Sequence, residues 1–300
     1  MAIEPIAREV ENLRQLLALA KAEDLGGGDV TSALLPAGAR AAGRFVARQD
    51  LVLCGGALLG EIAAAYGSEI ATDVLSADGE RVAAGQALAA WSGPAAEVLA
   101  AERVALNFLQ RLSGVATLTR TYVDAVADTP AAIYDTRKTT PGWRALAKYA
   151  VRAGGGCNHR MGLYDAVLVK DNHLAAMALA GAADPIAALA DKLAAARAHL
   201  PKGGFIEIEV DTLDQLAPAL RLAVDVILLD NMSPEHLAEA VRLRDAAGLA
   251  GRVALEASGR VTLENVREVA ATGVERIAVG AITHSATAVD ISLDIELTSV

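Results

Sequence analysis

Aromatic residues are scarce in this chain of 300 residues, with three Phe, five Tyr and two Trp. Its core must therefore be built from Leu, Val, Ile and Ala rather than from stacked rings. Cysteine is nearly absent. Cys54 and Cys157 are too few for a disulfide framework, which points to a reducing, cytoplasmic setting. No apolar run is long enough to span a bilayer. The opening MAIEPIAREVENL carries acids where a secretory signal would carry bases and a long apolar stretch. Positive charge is lacking overall. The formal net charge is −10, whereas a protein that grips a nucleic-acid backbone needs a basic face. Neither nucleic acid nor membrane is an expected partner. What is present is a 53% apolar composition, which excludes a disordered chain. The length suits one large α/β barrel, or a barrel plus a smaller domain.

The charge is unevenly spread. Between Asp135 and His173 lie seven bases (Arg137, Lys138, Arg144, Lys148, Arg152, Arg160 and Lys170) against three acids (Asp135, Asp165 and Asp171). Arg144, Lys148 and Arg152 recur every fourth residue, as on one solvated helix face. That spacing does not account for Arg137-Lys138, His159-Arg160 or Lys170, which sit at segment edges. These point to a small, multiply anionic ligand.

Along the chain, apolar spacing predicts a helix over Glu4–Glu23, ended by Gly26-Gly27-Gly28. Strands are expected over Gly43–Leu53 and Glu69–Leu75, with a helix over Ala57–Tyr66 between them. The stretch from Asp78 to Gly93 reads as a β-turn-β element, and no lysine at its turn could carry a cofactor. Helices follow over Ala95–Leu112 and Val115–Ala127. After Pro130 the pattern changes. Six short apolar runs (AAIYDT, AVLVK, FIEIEV, VILLD, VALEAS, RIAVGA) alternate with helical stretches over Ala182–His199, Leu213–Ala223, Pro234–Ala246 and Leu263–Ala271. Thr212 and Gln215 suit a capping box, and Ser233-Pro234 suits an N-cap with Pro in the first turn. Such repetition predicts parallel strands with crossover helices, and the lack of a dinucleotide fingerprint favours a barrel over a doubly wound sheet.

Nearly every predicted strand ends in a chemically useful group: Asp135-Thr136-Arg137-Lys138, Lys170-Asp171-Asn172-His173, Glu209, Asp230-Asn231, Glu256-Ala257-Ser258-Gly259 and Gly280. The C-terminal strand ends of a barrel converge on one mouth, where active sites are built. Arg137 and Arg160 offer planar forks for carboxylate or phosphate, and Lys138 and Lys170 compact positive charges. Glu209 and Asp230 make sense there if Mg²⁺ sits between them and phosphate oxygens. Ser258-Gly259 and Val279-Gly280-Ala281 end the last two strands, where barrels often hold a phosphate on backbone N–H groups. Gly154-Gly155-Gly156 is not a P-loop, since no Gly-Lys-Ser/Thr follows. Cys157, His159 and His173 match no zinc spacing. Lys170 as a Schiff-base lysine, in an aldolase, stays open as a minority reading.

The ordered set Glu102–Asn107, Asp135–Gly142, Gly155–Arg160, Lys170–His173, Leu229–Met232, Glu256–Gly259 and Val279–Ser285 closely resembles the quinolinate phosphoribosyltransferase family. The likeness extends from Glu23-Asp24-Leu25 and Gly28–Ser32 to Asp290–Leu293. It implies an N-terminal α/β sandwich domain over 1–113, joined by 284–300, and an incomplete, seven-stranded α/β barrel over 114–283. It implies transfer of the phosphoribosyl group of phosphoribosyl pyrophosphate to quinolinate with decarboxylation, Mg²⁺ as cofactor, and a homodimer or larger assembly. Arg103 matches the arginine that family members donate to the partner's site. By the same resemblance the quinolinate carboxylates are held by Arg137, His159, Arg160 and the partner's Arg103, with Thr136, Lys138 and Lys170 nearby. Glu209 and Asp230 hold ribose hydroxyls and Mg²⁺, and Lys138, Lys170, Glu209 and Asp230 form the catalytic set. Ser258, Gly259, Val279, Gly280 and Ala281 bind the 5′-phosphate. Arg260 departs from the pattern, standing where many relatives have glycine; a backbone with positive φ there would make arginine costly. A same-fold transferase with another acceptor, of the molybdenum-operon type, is the nearest alternative.

Overall fold

The computed structural model describes residues 3–298, which fall into two compact units. Of the described residues, one comprises 3–120, 138–156 and 282–298, the other 121–137 and 157–281.

The first unit is built on a four-stranded sheet in the order Ile291–Thr298, Arg40–Ala47, Ala87–Pro94, Ala71–Val74, antiparallel throughout. Phe45 stands opposite Leu293, so the last strand of the chain lies beside the first of this sheet. The few large rings are used where they pack best. Phe45 and Trp91, both buried, meet edge to face with centroids 4.9 Å apart, each burial stabilising by about 2–3 kcal/mol. The expected β-turn-β element is not a hairpin. Arg81–Val82 pairs with Leu51–Val52, while Ala87–Pro94 enters the four-stranded sheet.

The helix predicted to break after Leu112 runs unbroken over Ala95–Ala125. Gly114 is there for close approach: a Cβ on it would lie 2.0 Å from the Thr287 carbonyl oxygen. A second correction concerns Arg144–Ala153, whose basic row is not a solvated face. Lys148 is fully buried. Arg152 grips the buried Glu9 carboxylate with two bonds, 2.7 and 3.0 Å, and Glu9 also accepts the Ile6 N–H at 2.8 Å. Spacing of four says which residues share a face, not whether that face meets water.

The second unit is a parallel sheet of six strands: Ala132–Tyr134, Arg276–Ala278, Ala254–Ser258, Val226–Asp230, Ile206–Val210 and Val167–Val169, in that order. All six fall on the runs read from the sequence. Beyond Tyr134 a single parallel bridge adds Cys157 to the edge. Helices follow the strands, as an incomplete α/β barrel requires. Ser233 caps Pro234–Ala246 by accepting the His236 N–H, and Thr212 caps Leu213–Ala219 by accepting the Gln215 N–H. Of the helix expected over Ala182–His199, only Ala190–Arg197 forms, after a short 3₁₀ turn at Ala187–Leu189, and an unpredicted helix, Asp171–Leu179, precedes it.

Candidate functional site

In the second unit the C-terminal strand ends carry the predicted groups. Asp135, fully buried past Ala132–Tyr134, organises the segment that follows Cys157. Its carboxylate accepts the His159 N–H at 2.8 Å and the Asn158 side-chain amide at 2.7 Å. That places His159 and Arg160 beside the first strand, both only 8% exposed. Thr136 and Arg137 follow Asp135 and are half-buried. Burial pushes the Arg160 guanidinium below its ordinary value, and neighbouring Arg137 pushes the same way, while Glu207, Asp165 and Glu209 oppose. Arg160 is thus a desolvated guanidinium that feels the positive charge of half-buried Arg137. An anion with two carboxylates matches that field.

Lys170 follows Val167–Val169 and forms an ion pair with Glu209, at the end of the neighbouring strand. A carboxylate partner is the opposite of the desolvated or cationic setting that a Schiff-base amine needs. His173 turns back to accept the Lys170 backbone N–H at 2.9 Å, so it caps a helix. Asp230 ends the next strand, opposite Ser258. Asn231 Nδ2 donates to Asp230 Oδ2 at 2.6 Å, and the Asn231 N–H donates to the Ser258 carbonyl at 2.9 Å. Gly259 closes on this pair with φ +98°, and a Cβ there would lie 2.3 Å from Asn231 Oδ1. Only glycine fits. Arg260 is left-handed too, at φ +49°, with its carbonyl accepting from Asn265 Nδ2 at 3.1 Å. The Val279 N–H donates to the Tyr134 carbonyl at 2.9 Å, aligning Gly280 and Ala281 with the first strand's end.

Lys138 and Arg103 belong to the first unit, and both are exposed. The Lys138 carbonyl accepts from the Thr283 hydroxyl at 2.8 Å. Arg103 projects from the long Ala95–Ala125 helix.

Beneath the mouth lies a cluster in which the sequence reading assigned a role to His159 but none to Glu207 or Arg276. Glu207 and Glu256 are fully buried. His159 Nε2 lies 2.8 Å from Glu207 Oε2 and 3.5 Å from Glu256 Oε1. Neither Glu207 oxygen accepts a hydrogen bond, and neither does Glu256 Oε1. Arg276 Nε donates to Glu256 Oε2 at 2.6 Å, with its guanidinium 4.0 Å from the Tyr134 ring centroid. Burial pushes both carboxyl groups up to about 7; Arg276 opposes this at each, and at Glu256 the neighbouring Glu207 adds to it. One signal was available: Glu207 and Glu209, two apart in an otherwise apolar strand, must share one face. The donor atoms of His159, Glu207 and Glu256 lie within 4.8 Å of one another, yet they do not suit a cation. The Arg160 N–H donates to His159 Nδ1 at 2.8 Å, so the ring proton sits on Nε2, where a metal would need the lone pair. Arg276 already neutralises Glu256.

Among the described residues, no helix is long and apolar enough to cross a membrane.

Compared with known proteins, residues 29–113 match the quinolinate phosphoribosyl transferase N-terminal domain and residues 115–294 the C-terminal domain. A nicotinate-nucleotide pyrophosphorylase [carboxylating] of Mycobacterium leprae is 43% identical, with 96% of this chain and 98% of the relative covered. A probable nicotinate-nucleotide pyrophosphorylase [carboxylating] of Bacillus subtilis is 39% identical, with 96% and 94% covered. The solved nicotinate-nucleotide pyrophosphorylase of Francisella tularensis superimposes with a TM-score of 0.86 at 34% identity, covering 99% of both chains.

Proposed function

The chain belongs to the quinolinate phosphoribosyltransferase family, and from that premise we propose how its own residues perform the family's reaction. It is a decarboxylating pentosyltransferase of NAD biosynthesis, joining quinolinate and phosphoribosyl pyrophosphate to give nicotinate mononucleotide, pyrophosphate and CO₂. The observation that carries the assignment of roles is that buried Arg160 and half-buried Arg137 share the C-terminal strand ends with the Glu209–Lys170 ion pair and Asp230.

Arg137 and Arg160 grip the two carboxylates of quinolinate and aim its ring nitrogen at the sugar's anomeric carbon. The N–C bond forms as the bond to pyrophosphate breaks. Glu209 and Asp230 lie where positive charge develops on the ribose and stabilise it there. Lys170 and Lys138 offset the charge of the phosphoryl groups. Once alkylated, the ring nitrogen is cationic and stabilises the electron pair left when the adjacent carboxylate departs as CO₂; that carbon then takes a proton from water. No strong base is required. Ser258, Gly259, Gly280 and Ala281 hold the 5′-phosphate through backbone donors, with Arg260 adding charge.

Glu209 and Asp230 suit Mg²⁺. They are hard carboxylate donors, and Asp230 Oδ1 makes no hydrogen bond among the described residues. When bound, the metal would neutralise pyrophosphate as it leaves. The test of the reaction is release of labelled CO₂ from carboxyl-labelled quinolinate with phosphoribosyl pyrophosphate. Pyrophosphate made from a different acid, with no CO₂ from quinolinate, would assign the chain another acceptor.

The enzyme works in the cytoplasm as a homodimer in which Arg103 completes the partner's site. The exposure of Arg103 on a long helix supports this. Mixed, exchanging Arg103→Ala and Lys138→Ala chains should recover activity neither has alone, since some heterodimers hold one intact site. Mixtures as inactive as their parents would place Arg103 elsewhere.

A further inference from the structure

The mechanism above uses Asp230 and gives no task to the residue after it. Asn231, at φ +53°, is one of two non-glycine residues with positive φ among the described residues. The other, Arg260 at +49°, lies in the turn that follows the neighbouring strand Ala254–Ser258. Asparagine tolerates that conformation better than most residues, so the bland account is that Asn231 merely turns the chain. Glycine would do so at no steric cost. What the Asn231 amide touches gives it more to do.

Asp230 ends the strand Val226–Asp230, beside Ser258 of the next strand. Along a continuing strand, consecutive side chains point to opposite faces. The left-handed turn at Asn231 breaks that alternation and lets its amide meet the carboxylate just before it. Asn231 Nδ2 donates to Asp230 Oδ2 at 2.6 Å. A carboxylate only accepts, so this bond fixes the amide with Nδ2 toward Asp230 and Oδ1 away from it. Oδ1 lies over Gly259, where a Cβ would come within 2.3 Å of it. The backbone is tied to the same place, the Asn231 N–H donating to the Ser258 carbonyl. Beyond Gly259 the turn is held by Asn265, which donates to the Arg260 carbonyl at 3.1 Å and accepts the Thr262 N–H at 2.8 Å. The amide is thus wedged between a braced turn and Asp230. The terminal torsion of an aspartate is otherwise broad. Held by Asn231, Asp230 keeps Oδ2 engaged within the protein and presents Oδ1 to a ligand.

We propose that Asn231 is a positioning residue for phosphoribosyl transfer. It sets which oxygen of Asp230 meets the ribose, and it sets the place of that oxygen relative to the phosphate turn at Gly259. This rests on the reading that Asp230 meets the phosphoribosyl group.

Steady-state kinetics on the full enzyme in excess Mg²⁺ test it, with thermal melts as a control for folding. Asn231→Gly leaves the left-handed turn open to the backbone and removes only the amide. It should raise the KM for phosphoribosyl pyrophosphate roughly tenfold, the worth of a hydrogen bond to a charged group. The KM for quinolinate should stay within about twofold. Asn231→Asp keeps the shape without the donor and should lose at least as much. Parental kinetics in both variants would overturn the proposal, and equal rises in both KM values would reduce Asn231 to a turn residue. Should Asn231→Gly not fold, Asn231→Asp takes its place in every comparison. A double-mutant cycle then asks whether the effect runs through Asp230. In an Asp230→Ala chain the change at 231 should cost nothing further; a full additional loss would mean that Asn231 acts independently of Asp230, and the proposal would fall. Where Asp230→Ala is too slow to assay, the rise in melting temperature that phosphoribosyl pyrophosphate gives each chain is compared instead. Asp230→Ala alone separates the premise from the proposal. If it leaves rate and KM unchanged, the reading of Asp230 is wrong. If it impairs phosphoribosyl pyrophosphate while the 231 variants do not, only the positioning role is wrong.

Discussion

At the scale of single residues, backbone conformation discriminates most sharply. Arg260 sits at φ +49°, where a Cβ meets the carbonyl and glycine is preferred by about 1 kcal/mol. Arg260→Gly should therefore raise stability by up to about 1 kcal/mol in a urea melt, less the entropy glycine gains in the unfolded chain. It should also weaken phosphoribosyl pyrophosphate if the guanidinium reaches the phosphate. A variant no more stable and no weaker in KM would leave arginine there without a purpose. Gly259 is the opposite case, since a Cβ would strike Asn231. The strand-end residues were legible in the sequence because they break apolar runs at regular intervals. Glu207 was not, because it lies inside such a run and its neighbour His159 stands 48 positions earlier in the chain.

At the scale of elements, the helix Arg144–Ala153 carries the clearest stability prediction. Glu9 is 1% exposed, and Arg152 supplies its charge partner. Arg152→Ala should strand a buried carboxylate and lower stability by roughly 3–5 kcal/mol. A smaller loss on the double change Arg152→Met with Glu9→Leu would identify the cost as the orphaned charge; equal losses would show that packing, not charge, holds the contact. Helix and strand types were largely readable, since the 3.6 and 2 periodicities survive in a Leu/Val/Ile/Ala core. Helix ends were readable where a cap is local, as at Ser233. Continuity across Gly114 was not, because the reason for that glycine is Thr287, far along the chain. A long-range contact leaves no local pattern. Gly114→Ala should accordingly be destabilising by more than the helix gains, although alanine is favoured in a helix by about 1 kcal/mol; a more stable variant would refute the close-approach explanation.

For the molecule as a whole, the buried carboxyls make stability depend on pH. Glu256, like Glu207, ionises only at about 7 when folded because burial disfavours the charge, whereas its ordinary value is 4.5. Between those values the folded chain holds protons that the unfolded chain has released. Stability is then greatest at the acid end of that window, falls as pH rises through it, and flattens above it. Urea melts from pH 5 to 8 should show this decline, and Glu256→Gln, which mimics the protonated form, should flatten it. An unchanged slope would mean that Glu256 ionises normally in the fold. The chain's layout has one further consequence, which concerns synthesis. Every residue of the parallel-sheet unit has been translated before the strand Ile291–Thr298 exists. Until that strand emerges, Arg40–Ala47 is paired on one side only, and its other edge is an open row of peptide groups available to any neighbouring strand. A nascent chain is thus exposed to self-association throughout synthesis of the parallel-sheet unit, and a stop ahead of Ile291 would leave that edge open for good.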